Sequence, residues 1–143
     1  MEQRLPFRLA VLSRLLDRHA TRTLARYNIS LSTYRILLTI DAFGDISPVE
    51  LTRYTVVDKA QISRQTTELL KNEWTSAVPD PNRPRRKRLR LTSQGHALMA
   101  AIMPAMNARE ARFAEQLDVQ VLDTLVTAIE KLTDHVAADL AEA

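Results

Sequence analysis

Apolar residues in most of this chain recur every three or four positions, which is the spacing of one face of an α-helix. In the first segment five leucines follow this spacing: Leu5, Leu9, Leu12, Leu16 and Leu24. The pattern predicts a helix over about residues 6–27. A second helix is predicted from Ser32, as its N-cap, to Phe43, with Gly44 as the stop at its C-terminus.

The middle of the chain predicts two helices joined by a short connection. Ser47, Pro48 and Glu50 stand in the order of a capping box with proline in the first turn. Asp58 is the expected N-cap of the next helix, which places apolar residues such as Ile62 on one face. Another face carries four polar residues: Gln61, Arg64, Gln65 and Glu68. A helix pair whose second member exposes polar residues near its start is typical of a helix-turn-helix.

The apolar spacing then changes from three or four positions to two. In the stretch WTSAVP, Trp74 and Val78 share one face, and in RLRLT, Leu89 and Leu91 alternate with arginines. Two such strands, joined by a connection rich in proline and arginine, predict a β-hairpin. We expect all four of these side chains to pack onto the helices. A hairpin directly after a helix-turn-helix is a wing.

Two long helices are predicted at the end of the chain. Thr92 or Ser93 is the N-cap expected for the first, which Pro104 should kink, and Asp118 is the N-cap expected for the second. The second helix carries the apolar seam of a packed helix pair: Leu122, Leu125, Ile129, Leu132 and Val136. Such a seam is buried against its own chain or against a partner chain. We favour a partner chain, because long terminal helices flank a small central module.

The 143 residues carry a net charge of +3, and their cations are concentrated in one stretch. Six of the 20 lysines and arginines lie between positions 83 and 90: Arg83, Arg85, Arg86, Lys87, Arg88 and Arg90. Because the rest of the chain is net negative, a polyanion is the expected partner of this stretch. A row of arginines at positions 14, 18, 22 and 26 is either a solvated helix face or a surface facing DNA or an acid.

Composition excludes several other classes of protein and site. Cysteine is absent, so disulfides and thiolate metal sites are excluded, and the three histidines, His19, His96 and His135, lack metal-ligand spacing. No apolar run reaches the roughly 18–20 residues of a membrane span, and the N-terminal segment lacks the apolar core of a secretory signal. We therefore expect a cytoplasmic protein. Without a glycine-rich phosphate loop or a recognisable nucleophile, we expect neither an enzyme nor a cofactor.

In order and spacing these motifs resemble the MarR-type winged helix-turn-helix regulators. The resemblance covers about residues 29–132 and is carried by four stretches: ELTRYTVVDKAQISRQTTELLK, LRLTSQG, IMPAM and LDVQVLDTLVTAIEKL. It implies a mainly α fold with a small β-hairpin wing, in one domain over residues 1–143. The winged helix-turn-helix lobe would span about residues 29–92. The dimerisation helices would span about residues 5–27 and 93–142.

The resemblance also implies which side chains bind DNA. In the recognition helix they are Lys59, Gln61, Ser63, Arg64 and Gln65, and in the wing they are Arg83, Arg85, Arg86, Lys87 and Arg88. Where the family's wing usually reads Asp-Arg-Arg, this chain has Arg83, Pro84 and Arg85, and Asp80 is a candidate to replace the aspartate from upstream. The glycine usual after the recognition helix is also replaced, by the stretch Asn72–Trp74.

The function that the resemblance implies is that of a homodimeric repressor. It would bind near-palindromic double-stranded DNA and be released by a small, aromatic effector. Six residues would line the ligand cleft: His19, Tyr27, Tyr34, Arg35, Met99 and Met103. Ordinary packing is the alternative for each of the six. The rival function is that of a sequence-indifferent, architectural DNA- or RNA-binding protein without ligand response, because a basic wing would serve either. A regulator that binds no ligand is a third alternative.

Overall fold

The computed structural model describes residues 3–142, so that residues 1, 2 and 143 of the predicted 1–143 domain lie outside the described part. The chain divides into two compact units, Met1–Pro104 and Ala105–Ala143. The elements follow one another as α1 (Leu5–Leu24), a 3₁₀ turn (Ala25–Tyr27), α2 (Leu31–Phe43), α3 (Pro48–Tyr54), α4 (Lys59–Lys71), β1 (Thr75–Pro79), β2 (Lys87–Leu91), α5 (Ser93–Glu115) and α6 (Val119–Ala141). This confirms the predicted fold class, which is mainly α with one β-hairpin.

Side-chain caps begin three helices where the sequence predicts them. At α3 the Glu50 N–H donates to Ser47 Oγ (3.2 Å) and the Ser47 N–H donates to Glu50 Oε2 (2.9 Å), which closes the capping box. Asp58 caps α4 by accepting from the Gln61 N–H at 2.9 Å. Asp118 caps α6 in the same way. The sequence therefore sets the start of each of these helices locally.

The predicted start of α2 is wrong by two residues. Ser30, not Ser32, is the N-cap, and its Oγ accepts from the Thr33 N–H at 3.1 Å. Ser32 lies inside the first turn, where its hydroxyl accepts from the Gln65 side chain. Both serines precede the same apolar row, so the row cannot tell them apart. Gly44 ends α2 with a φ of 81°, as predicted for the stop.

The strand register corrects the expected face of the hairpin. Thr75 pairs with Leu91, and Ala77 pairs with Leu89. Residues directly opposite each other in an antiparallel pair share a face, so Thr75 and Ala77 lie on the same face as the leucines; of these two, Thr75 is buried and Ala77 is exposed. Val78 instead shares the outer face with Arg88, contrary to the expectation that it packs with Leu89 and Leu91. Alternation within each strand cannot show which face of one strand matches which face of the other.

The core of the first unit holds the wing against the helices. Its fully buried side chains come from helices α1 to α5 and from the segment before α3: Leu24, Ile36, Leu37, Ile40, Ile46, Leu51, Ile62, Leu69 and Ile102. Ile46 also exchanges two backbone hydrogen bonds with Leu89, at 3.0 and 2.7 Å, which form an isolated β-bridge to β2. The hairpin is thereby fixed at its base.

The junction between α4 and β1 has the geometry of a Schellman motif, although it lacks glycine. Glu73 adopts a left-handed conformation, with a φ of 61°. The Trp74 N–H donates to Leu69 O and the Glu73 N–H donates to Leu70 O, both at 3.1 Å, which is the bonding of that motif. The backbone thus follows the path that a glycine would favour, with glutamate in the strained position.

Thr92 and Gly95, which belong to the stretch LTSQG, join the wing to α5. Thr92 Oγ1 accepts from the Gly95 N–H at 3.0 Å, as predicted for an N-cap. A Cβ at Gly95 would lie 2.0 Å from Trp74 O, so this position admits no side chain while that carbonyl stays in place. The motif therefore has a structural cause in the close packing of α5 on the α4–β1 junction.

Two helices present apolar stripes that the described chain leaves exposed. On α1 the stripe includes Leu5, Leu12 and Leu15, of which Leu12 is 50% exposed. No residue of α6 is buried, and Ile129, in the middle of its predicted seam, is 46% exposed. Among residues 3–142 the structure has no helix that combines the length and apolar character needed to cross a membrane.

Candidate nucleic-acid interface

Helix α4 presents a polar side to solvent while its other side packs into the lobe. Ile62, Thr66 and Leu69 are buried, and they follow the three- and four-residue spacing of one helix face. Lys59, Ser63 and Arg64, three of the predicted DNA-binding residues, are exposed. The structure therefore places these three side chains where an incoming duplex could reach them.

The two glutamines predicted to bind DNA occupy a different environment from these three residues. Gln61 is half-buried near the start of α4. Gln65 is also half-buried, and its amide bonds to the first turn of α2: Nε2 donates to Ser32 Oγ, and Oε1 accepts from Thr33 Oγ1 at 3.5 Å. To read a base, Gln65 would have to leave these partners. Its present role is to tie α4 to α2.

A groove of about 580 Å³ runs between α3 and α4. Lys59, Ser63 and Thr67 line it from α4, and Thr52 and Arg53 line it from α3. Arg53 is exposed and adds a cation to this surface that the sequence reasoning did not single out. Its position in the last turn of α3 gives no reason of its own to expect a role in binding.

The wing turn is organised by its own backbone and exposes four cations. The Asp80 N–H donates to Arg86 O at 2.9 Å, and the Arg86 N–H donates to Arg83 O at 2.8 Å. Asp80 Oδ1 accepts from the Asn82 N–H at 2.8 Å, which closes an Asx turn. The exposed cations are Arg83, Arg85, Arg86 and Lys87. An ordered turn with exposed cations suits a partner of dense negative charge.

Two further arginines of β2 point back toward the helix-turn-helix instead of outward. Arg88 Nη2 lies 2.8 Å from Asp45 O and 3.2 Å from Glu50 Oε2, and its Nη1 lies 3.6 Å from Asp80 Oδ2. Arg90 forms a bidentate pair with the Asp45 carboxylate, at 2.9 and 2.8 Å. We call these five residues the wing brace. Asp80 is thus paired with Arg88.

The carboxyls of the wing brace are stabilised in their charged form. The side-chain hydrogen bond from Arg90 lowers the pKa of Asp45. The backbone N–H of Ser47, followed by the charge of Arg88, lowers the pKa of Glu50. The pKa of Asp80 is lowered first by the backbone N–H of Asn82 and then by that of Arg83, with Arg88 contributing less. All three acids are therefore ionised at neutral pH and available to the arginines.

The six residues predicted to line a ligand cleft differ in their surroundings. Tyr34 and Met99 are buried, and the Tyr34 hydroxyl lies 3.9 Å from the sulfur of the half-buried Met103. Arg35 is paired with Asp17 at 2.9 Å. Tyr27 is half-buried and His19 is exposed. Tyr34, Met99 and Met103 thus lie in or beside the core, and the assignment of all six to a ligand remains a prediction. Within residues 3–142 no three His, Asp or Glu side chains are grouped to hold a metal ion.

Comparison with known proteins gives a family match for the lobe and a fold match for nearly the whole chain. The MarR family model matches residues 29–86. The multiple antibiotic resistance protein MarR of Salmonella typhimurium is 32% identical over 82 residues, which are 57% of this chain and 57% of that protein. The chain thus matches little more than half the length of this relative.

Among solved structures, a cysteine-to-serine mutant of E. coli MarR complexed with operator DNA has a TM-score of 0.80 at 22% identity and covers 90% of this chain and 92% of its own. Bordetella bronchiseptica BpsR, in a structure on the regulation of its DNA binding by 6-hydroxynicotinic acid, has a TM-score of 0.82 at 17% identity. It covers 92% of this chain and 94% of its own. At these identities the two structures establish a shared fold.

Proposed function

Residues 29–86 belong to the MarR family, and from this premise we propose that the protein is a transcriptional regulator that binds double-stranded DNA in a sequence-specific way. One observation carries the proposal. The exposed polar side of α4 and the exposed cations of the wing belong to the same compact unit. Phosphate neutralisation supplies affinity for DNA, and polar side chains that reach base edges supply sequence preference. The lobe offers both kinds of group.

In this proposal α4 enters the major groove and Arg64 is its principal base-reading residue. Arg64 is exposed near the middle of the helix, and arginine recognises guanine by two parallel hydrogen bonds. Lys59 and Ser63 flank it on the exposed side. Gln61 remains a candidate for adenine, whereas Gln65 is a weaker one because its amide is bonded to α2.

The wing supplies phosphate contacts through the exposed cations around its turn. Arg83, Arg85, Arg86 and Lys87 all lie in or next to the turn. Arginine is also favoured in narrow, electronegative minor grooves, which a wing beside the recognition helix can reach. Arg88, which the sequence placed with this group, bonds to three acceptors of its own chain instead.

The protein acts as a homodimer through its terminal helices. The exposed apolar stripes of α1 and α6 support this, because two copies could bury the stripes that one copy leaves in water. Two recognition helices related by a two-fold axis would read a near-palindromic operator with half-sites about one helical turn apart.

The dimer is tested by placing charge in the α6 stripe. Leu125→Asp combined with Ile129→Asp should yield a monomer in sedimentation velocity at micromolar concentration. Thr127→Asp is the control, since it adds charge to the polar side of the same helix. A wild-type protein that sediments as a monomer at that concentration would contradict the proposal.

A small aromatic acid is the effector we propose. The regulation of BpsR by 6-hydroxynicotinic acid, reported for that protein, supports this class of ligand for a protein of the same fold. Arg35 directly follows Tyr34 in the chain and is paired with Asp17. A ligand carboxylate could replace Asp17 as the partner of this guanidinium. Binding would shift the population between states with different spacing of the recognition helices. Titration of the protein–operator complex with small aromatic acids tests this step, and release by none of them counts against it.

The rival function, an architectural protein indifferent to sequence, is favoured only by the abundance of cations in the wing. Selection of bound sequences from a random DNA pool separates the two, because a regulator should prefer the selected site over bulk DNA by at least about 10³-fold. Arg64→Ala should then reduce that preference more than it reduces binding to random DNA. A ratio near one between the selected site and bulk DNA would support the architectural function.

A further inference from the structure

We propose that Arg88 is a positioning residue of the wing and not a ligand of DNA phosphate. The inference rests on the proposed DNA-binding function and deepens it, because it separates the cations that bind DNA from a cation that holds them in place. Arg88 is the least exposed residue of the run between 83 and 90 apart from Leu89, with 23% of its side chain exposed. Arg90 retains 50% exposure.

The partners of Arg88 come from three separate segments. The carbonyl of Asp45 belongs to the loop after α2, Glu50 to the first turn of α3, and Asp80 to the start of the wing turn. A guanidinium can satisfy several acceptors at once because its donors lie in a fixed planar fork. Arg88 therefore connects the wing turn to the first helix of the helix-turn-helix.

Each partner is itself anchored, so the connection is rigid at both ends. Glu50 closes the capping box with Ser47. Asp80 bonds to the backbone of the wing turn through Asn82. Asp45 precedes Ile46, whose backbone bridges to β2. A guanidinium held between these groups fixes the height of the wing turn relative to α3, and hence to α4, which packs on α3.

Removal of the acid partner of Arg88 should change DNA affinity in opposite directions, depending on whether Arg88 binds phosphate or positions the wing. Asp80→Asn removes one negative charge and leaves the Asx turn possible, since the asparagine oxygen can still accept from the Asn82 N–H. If Arg88 bound phosphate, freeing it from Asp80 would strengthen binding to DNA. If Arg88 positions the wing, the same change should weaken binding to operator and to random DNA alike, by about two- to fivefold, the range of a partly exposed ion pair.

The experiment measures DNA affinity of the wild-type protein, Asp80→Asn and the control Glu130→Gln by fluorescence anisotropy. Glu130 is an exposed acid of α6, outside the helix-turn-helix and the wing, so its removal should leave affinity unchanged or raise it slightly. Arg88→Lys keeps the charge but loses the fork, and should weaken binding as Asp80→Asn does. Tighter binding by Asp80→Asn, or unchanged binding by Arg88→Lys, would overturn the inference.

A second measurement is independent of DNA and separates failure of this inference from failure of the proposed function. In Arg88→Gln the amide protons of Asp80 and Arg86, which bond within the wing turn, should exchange with solvent faster than in the wild type. Exchange in the buried α2 segment around Leu37 and Ile40 should not change. Unchanged exchange at Asp80 and Arg86 refutes the positioning role even if the wild-type protein binds no DNA.

Discussion

Removal of two exposed wing cations gives a quantitative test of how the protein would hold DNA. Arg85→Ala combined with Arg86→Ala leaves the wing turn intact, because Arg86 contributes to it only through its backbone. Each phosphate contact adds about 0.9 to the slope of log affinity against log salt. The double variant should therefore bind all DNA more weakly, with a slope smaller by about 1.8.

The magnitude is large enough for an ordinary gel-shift series. Between 50 and 200 mM salt, a slope difference of about 1.8 means that the wild-type protein loses about twelvefold more affinity than the variant. The measurement compares one operator fragment and one random fragment at several salt concentrations in this range.

A matched control distinguishes phosphate contact from a change of net charge. Arg14→Ala combined with Arg18→Ala removes the same charge from exposed positions of α1. This control should keep the wild-type slope if α1 does not touch DNA. An unchanged slope in the wing variant, or an equal loss in both variants, would refute the assignment of the wing as the phosphate-binding element.

Three further predictions concern stability; the first two are measured by chemical or thermal unfolding, and the third by amide exchange. Gly95→Ala should cost about 1–3 kcal/mol, because its Cβ would collide with Trp74 O. Gly44→Ala meets no atom within 4 Å but should also destabilise, because the φ of 81° and ψ of −65° at this position are those of a strained γ-turn. Glu73→Gly should stabilise the protein by about 1 kcal/mol or less, because it relieves about 1–2 kcal/mol of backbone strain but adds about 0.5–1 kcal/mol of chain entropy to the unfolded state. Asn28→Gly should stabilise the protein less, because asparagine tolerates the left-handed conformation. The three carboxyls of the wing brace have lowered pKa values, so the stability they contribute is fully present above the ordinary carboxyl pKa of about 4. This stability is lost as the pH falls below that value, and amide exchange should then increase first in the wing turn.

Local signals in the sequence predicted most of the fold. The capping box at Ser47 and the caps at Asp58 and Asp118 depend on residues within one turn, so their geometry follows from their spacing. The predictions for the start of α2 and for the face of Val78 were wrong. Each required a choice between two neighbouring alternatives: Ser30 or Ser32 as the N-cap, and one or the other face of β1. The spacing of apolar residues identifies a helix or a strand, but it does not by itself determine the residue at which a helix begins or the face of a strand that is buried.

The predicted DNA-binding residues fall into two groups for a related reason. Lys59, Ser63 and Arg64 lie on the exposed side of α4, as the apolar spacing of that helix requires. Gln65 is drawn to Ser32, a partner 33 positions away in the chain. No periodic signal reports a polar side chain that turns toward another helix, so its bond to α2 could be found only in three dimensions.

The run of cations between positions 83 and 90 shows how one compositional feature can serve two purposes. Alternation along β2 turns Arg88 and Arg90 to one face, and the register places that face with Ser76 and Val78. The segment before α3 brings Asp45 to the same face and the first turn of α3 brings Glu50, and their carboxylates pair with Arg88 and Arg90. The other four cations lie in or next to a turn whose backbone bonds do not depend on their side chains. If the wing binds phosphate, its cations can therefore change in number and position without loss of the hairpin, whereas a change in Arg88 should move the whole wing.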